Sequence, residues 1–188
     1  MEFPVHTRQS APPDAKHTLE KVIEAWGFLP NLGGVIAESP AALELLWTGY
    51  GALTSKGTLT AVEQQLIAVA ASRENRCAYC VAAHSTMALG AKVPLDALRA
   101  AREGRAIADP RLNALRQVSE RLVRQRGILS AVERKEFQDA GYTPSQLLEV
   151  VGWIAMKTLT NYTNHIADTP VDEQWMGQSW TVPSATRE

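Results

Sequence analysis

The chemistry of this chain is concentrated between Glu74 and His84, in the run ENRCAYCVAAH, which holds both cysteines of the protein and one of its four histidines. If the run opens a helix, Cys77, Cys80 and His84 fall within an arc of about 60°. Thiols three residues apart at a helix start can close a short disulfide loop, and the thiolate is the reactive form. His84 lies one turn beyond Cys80 and can take its proton directly or through a water. Geometry alone leaves the order of the thiols open. A helix N-terminus favours thiolate at Cys77, whereas the one-turn spacing to His84 favours Cys80. The same face continues through Met87, Ala88 and Ala91, small or apolar residues that would suit a pocket with little water.

Two other uses of these residues compete with redox chemistry. Structural zinc would need a fourth ligand, and His165 could supply one only by folding back, since no second Cys/His cluster stands at ligand spacing. Two buried, inert thiols beside a core histidine are the other alternative.

The elements that must position this run read as helices. Leu19 to Trp26 ends at Gly27, and residues 30–34 form a turn before a brief apolar segment. Ser39-Pro40 then pairs an N-cap with a proline at the first helical position. Thr60 to Glu63 is a capping box, so Glu63 closes a helix end, and that helix runs to about Arg73 immediately before the motif. Gly90 and Pro94 separate the motif helix from the next, which Gly104 stops. Asp109-Pro110 opens a helix whose Arg111, Arg116, Glu120, Arg121, Arg124 and Arg126 read as a solvated or subunit-facing surface. Ser130 to Glu133 repeats the capping box. Thr143 to Gln146 opens the longest helix, with Leu147, Val150, Val151, Ile154, Leu159 and Tyr162 as its core stripe. At its end Asn161, Asn164 and His165 read as a polar cap or interface group. No alternating strand appears, so the fold is expected to be all-α, with about seven or eight helices in short antiparallel pairs.

The 188 residues suffice for one domain with tails. We read residues 1–17 as an extended arm, 18–170 as the helical domain, and 171–188 as a tail whose Trp175, Met176 and Trp180 suggest docking on this or a neighbouring subunit. A net charge of −1 gives no basic footprint for nucleic acid, and no apolar run reaches membrane-spanning length. No secretory signal is expected, and one close cysteine pair without a disulfide framework fits a reducing cytoplasm.

Through the Cys-x-x-Cys-x-x-x-His core at 77–84, the chain resembles the alkylhydroperoxidase D-like proteins of the carboxymuconolactone decarboxylase superfamily. The resemblance extends to Gly27-Phe-Leu-Pro-Asn-Leu32, to Ser39-Pro40, and to the closing Asn161-Tyr-Thr-Asn-His165, spanning roughly 27–170. It implies an all-helical subunit, usually in dimers, trimers or hexamers, that reduces peroxides through a cysteine pair, and we expect no bound cofactor. It also implies that Cys80 is peroxidatic, Cys77 resolving, and His84 part of a proton relay. The family's relay glutamate, twelve residues before the first cysteine, is Gln65 here, and an amide cannot accept a proton as a carboxylate does. Glu74 is a candidate substitute, while Glu63 should point elsewhere. Tyr79 replaces the histidine that alkylhydroperoxidase D has between its cysteines. Named decarboxylases of the superfamily typically lack the pair, which argues against lactone decarboxylation.

The expected activity is hydroperoxide reduction by Cys80 and Cys77, with His84 raising the thiolate fraction and Tyr79 or Gln65 assisting. An external dithiol or protein reductant would reset the pair. Disulfide exchange with a protein partner and a redox-responsive helical assembly module are the alternatives.

Overall fold

The computed structural model describes residues 1–183. Among the described residues nine α-helices make up the body: α1 (Lys16–Trp26), α2 (Asn31–Ile36), α3 (Pro40–Lys56), α4 (Ala61–Glu74), α5 (Ala78–Gly90), α6 (Leu95–Glu103), α7 (Pro110–Arg124), α8 (Ala131–Asp139) and α9 (Pro144–Ala167). Short 3-10 turns lie at Pro13–Ala15 and Glu173–Gln178, and no strand occurs among the described residues. The helix beyond the expected number is α2, which forms where a turn was expected and buries Gly33 to Ile36. The first residues are irregular, but Ala11 and Ala15 are buried and the His6 amide donates to the Gly34 carbonyl at 3.2 Å.

The sequence starts these helices with side-chain caps. Ser39 accepts from the Ala42 amide, and complete capping boxes open α4, α8 and α9. Each cap satisfies an amide that the helix itself cannot, typically worth about 1 kcal/mol.

Helix α4 is the centre of the bundle. Nine of its fourteen residues are buried, and it packs against α5, α6, α7 and α9. Ala68, Ala70 and Ala71 keep its surface narrow, so neighbouring helices approach closely on several sides. Full burial of Leu66, Ile67 and Val69 contributes about 1.5–3 kcal/mol each.

Helices α3 and α9 interlock by reciprocal notches. Gly49 of α3 leaves the space that Met156 of α9 fills, and Gly152 of α9 does the same for Leu53 of α3. This close approach brings the middle of α9 over the middle of α3.

Two surface assignments are corrected. Arg116 and Glu120 of α7 are buried and joined at 2.6 Å, not solvated. On α9 the buried stripe is Val150, Trp153, Lys157, Thr160, Asn161 and Asn164, whereas Val151 and Tyr162, expected in the core, are exposed.

Candidate active site

Cys77 is fixed by the backbone before its side chain is considered. Asn75 caps α4, and Arg76 follows in the left-handed region at φ 61°. The amides of Arg76 and Cys77 return to the carbonyls of Arg73 and Ser72, both at 2.9 Å, closing α4 with a Schellman motif. Cys77 is at once the last residue of that motif and the N-cap of α5, with extended φ −92° and ψ 98°. One turn on, Cys80 sits inside α5, 3.6 Å from Cys77.

Helix α5 presents Cys77, Cys80 and His84, and α9 answers with a stripe of the same period running the other way. Asn164 Nδ2 lies 3.2 Å from Cys80 Sγ and 3.8 Å from Cys77 Sγ. Thr160 Oγ1 lies 3.8 Å from Cys80 Sγ. Lys157 Nζ is 2.6 Å from His84 Nε2 and 3.4 Å from the Tyr50 hydroxyl. On the other side of the ring, His84 Nδ1 is 2.9 Å from Gln65 Oε1. These partners define one tautomer: Nδ1–H donates to Gln65, and the Nε2 lone pair accepts from Lys157.

Lys157 is only 1 % exposed, and no carboxylate pairs with it among the described residues. Burial pushes its ammonium down, but Cys80 and Tyr50 outweigh burial and hold it above the ordinary lysine value. Burial, and then the Lys157 charge, hold His84 well below its usual range, so the imidazole is neutral. Burial likewise pushes the Cys80 thiol up. Against it act the Cys77 hydrogen bond, the Lys157 charge, Thr160 and Asn161, and together they lower Cys80 to about 5. Donation to Cys80, followed by burial, pushes Cys77 up instead. The pair therefore holds one thiolate, on Cys80, and one thiol donating to it.

Cys80, His84 and Lys157 open onto a cavity of about 330 Å³. Trp26, Leu46, Trp47, Met87, Trp153 and Trp175 give it a largely aromatic and aliphatic wall. Cys77 does not line it. Ala88, expected to extend the pocket face, packs instead into the cluster beneath α6.

Tyr79 lines the same cavity, but its hydroxyl is engaged elsewhere. Its hydroxyl donates to Asp172 Oδ2 at 2.6 Å and accepts from the Leu32 amide at 3.1 Å, while Asp172 also accepts from the Asn31 amide at 3.0 Å. Burial, then the Asp172 hydrogen bond, push its phenol up. Trp175 stands edge-on to Tyr79, Phe28 and Trp26, with ring centroids 5.3–6.3 Å apart. The tail thus docks on its own chain through Trp175, whereas Met176 stays exposed. Residues 184–188 of the expected tail lie outside the described residues.

The structure brings Cys77, Cys80, His84, Gln65 and Tyr79 together, but the Tyr79 hydroxyl is taken up by Asp172 and the Leu32 amide. Glu74, weighed as a substitute carboxylate, pairs with Arg124 at 2.9 Å, and Glu63 closes its capping box and meets Arg111. Asn161 and Asn164, read from sequence as an end cap, are buried among the thiols, while His165 is exposed. Sequence reasoning missed Lys157, although it lies four residues after Trp153 and seven after Val150 on the buried stripe. Among the described residues no cluster of three His, Cys, Asp or Glu stands at metal-ligand geometry.

Residues 40–121 match the model of the Carboxymuconolactone decarboxylase family. No curated protein matches the chain. Several solved structures share its fold. An alkylhydroperoxidase AhpD core protein from Ralstonia eutropha JMP134, described as an uncharacterized peroxidase-related protein, aligns with a TM-score of 0.82 at 21 % identity, covering 93 % of each chain. A peroxidase-related protein from Silicibacter sp. TM1040 aligns at 0.79 and 19 % identity, over 95 % of this chain and 94 % of the other. The debrominase Bmp8, in a cysteine-to-alanine form complexed with 2,3,4-tribromopyrrole, aligns at 0.79 and 16 % identity over 95 % of each. The match to the Carboxymuconolactone decarboxylase family model thus spans the cysteine motif, and the fold across nearly the whole chain is that of the AhpD core protein from Ralstonia eutropha JMP134.

Proposed function

We propose that the protein is a dithiol oxidoreductase that reduces hydroperoxides at Cys80 and resolves the product with Cys77. The observation that carries this reading is the order of the two cysteines: Cys80 lines the cavity and Cys77 waits behind it at 3.6 Å. The Cys80 thiolate attacks the distal peroxide oxygen, the O–O bond breaks, Cys80 becomes a sulfenic acid, and the departing alkoxide takes a proton from the site. The Cys77 sulfur then attacks the Cys80 sulfur. The S–O bond breaks, hydroxide leaves with the Cys77 proton as water, and a disulfide forms. An external dithiol, in a reducing cytoplasm, returns both thiols.

Burial favours this over exchange with a protein disulfide, because each cysteine is only 1 % exposed and a folded partner cannot reach the sulfur. A small molecule entering the cavity can. With dithiothreitol as reductant, the parent should consume cumene hydroperoxide catalytically and Cys80→Ser should not. An undiminished rate in that variant would remove the assignment.

The aromatic wall and the likeness to Bmp8 favour one second reading, reductive dehalogenation of a halogenated aromatic. There the Cys80 thiolate would take the halogen as a sulfenyl halide, the ring carbon would gain a proton, and Cys77 would displace halide to form the same disulfide. Halide release from tribromopyrrole, measured beside hydroperoxide consumption, separates the two.

A further inference from the structure

We propose that Lys157 is the counter-ion of the Cys80 thiolate and the acid that protonates the leaving group, so that the relay of this site is built on a buried cation and not on a carboxylate. This assignment rests on the thiol chemistry proposed above and names the group that supplies its proton.

A fully buried ammonium needs an anion. The groups that face it are few. From α5 come Cys77, Cys80 and His84, from α3 comes the Tyr50 hydroxyl, and α4 offers only the Gln65 amide, on the far side of the imidazole. Among the described residues, Lys157 is the only lysine, arginine or carboxylate lining the cavity. The neutral His84 accepts one ammonium proton, and Tyr50 accepts another at longer range. Both serve as hydrogen-bond acceptors, and the group that does most to hold the ammonium charged is the cavity-facing Cys80.

The arrangement also changes what His84 does. Gln65 holds its Nδ1–H, which leaves only Nε2 to accept, and Nε2 is occupied by Lys157. His84 is thus a positioning residue that aims the ammonium into the cavity. The order of events follows. When the O–O bond breaks, Cys80 loses its charge as the sulfenic acid forms, and the departing alkoxide gains a charge. Lys157 transfers one proton to that oxygen and becomes a neutral amine, with neither anion nor cation left buried. The amine can then take the proton of Cys77 as that sulfur attacks, and it returns the proton to the hydroxide that leaves Cys80. Two thiols and one hydroperoxide become a disulfide, an alcohol and a water.

The test is the pH dependence of iodoacetamide alkylation of Cys80 in a Cys77→Ser background, with Lys157→Met and Lys157→Arg compared against lysine. Methionine keeps the length of the side chain and removes its charge. The half-point of alkylation should rise by about two pH units or more in Lys157→Met, a change of about a hundredfold in thiolate fraction at a fixed acidic pH. Lys157→Arg, which keeps the charge, should hold most of the depression. A folded Lys157→Met protein whose half-point stays with the parent would overturn the assignment.

A second measurement needs no variant of the lysine. Nitrogen-15 NMR of the parent should show His84 as the neutral tautomer protonated on Nδ1, and protonation of Nε2 would overturn the proposal. A lysine-dependent half-point in a protein that consumes no hydroperoxide would support the lysine assignment while removing the peroxidase reading.

Discussion

Lys157 Nζ and His84 Nε2 are 2.6 Å apart at the floor of the cavity, with the imidazole as acceptor. A histidine so placed cannot also withdraw the Cys80 proton through that nitrogen. In the proposed relay the acid–base chemistry therefore runs through the ammonium and not the ring.

Asn164 donates to Cys80 Sγ at 3.2 Å, and a hydrogen bond to a charged acceptor is worth about 1.5–3 kcal/mol. Asn164→Ala should raise the half-point of Cys80 alkylation by about one to two pH units. Asn164→Asp should raise it further, because a carboxylate would face the thiolate. Alkylation profiles of the two variants check both the size and the order.

The rate of the Cys80 reaction with a neutral hydroperoxide should follow the thiolate. Because the group is lowered to about 5, the rate should fall about tenfold per pH unit below that value and stay nearly level from pH 6.5 to 8. Stopped-flow rates across this range decide the matter. A rate that keeps climbing toward pH 8 would mean an ordinary thiol.

Tyr79 ties the tail to the body, so Tyr79→Phe should act on stability more than on chemistry. Removing its hydroxyl takes one donor from buried Asp172 and strands the Leu32 amide, at a cost of about 1–3 kcal/mol. Urea denaturation should register that loss, while the alkylation half-point of Cys80 stays within about half a unit. A large shift in the half-point would return Tyr79 to the relay.

Trp175 closes one side of the cavity by packing on Tyr79 and Phe28. Trp175→Ala should cost about 3–5 kcal/mol and open the thiols to solvent. Alkylation of Cys80 by a bulky maleimide should then accelerate, whereas Trp175→Phe should restore much of the protection.

The helices were legible because their ends are written in short-range chemistry: Ser39-Pro40, the Thr60–Glu63 and Ser130–Glu133 boxes, and the Thr143–Gln146 box each act within three residues. The thiol pair was legible for the same reason. Lys157 was not, because its partner His84 lies seventy-three positions earlier and only the packing of α9 on α5 joins them. On α9 the core stripe was placed one position off at Val151 and Tyr162, which moved Lys157, Asn161 and Asn164 away from the inner face. The order Trp153, Lys157, Asn161, Asn164, spaced by four, four and three, would have put them together. Tyr79 misled for a related reason: its neighbours in sequence are the cysteines, yet its hydroxyl partner arrives from Asp172, ninety-three residues later.

The central claim is that Cys80 takes the oxidant and Cys77 resolves it. The most direct measurement is stopped-flow counting of free thiols after hydroperoxide is added to the reduced protein, with sulfenic acid trapped in Cys77→Ser and Cys80→Ser. Fast loss of two thiols in the parent, and a trapped sulfenic acid only where Cys80 remains, is the expected result. Thiols that react no faster than free cysteine, or a sulfenic acid trapped on Cys77 in the absence of Cys80, would contradict it.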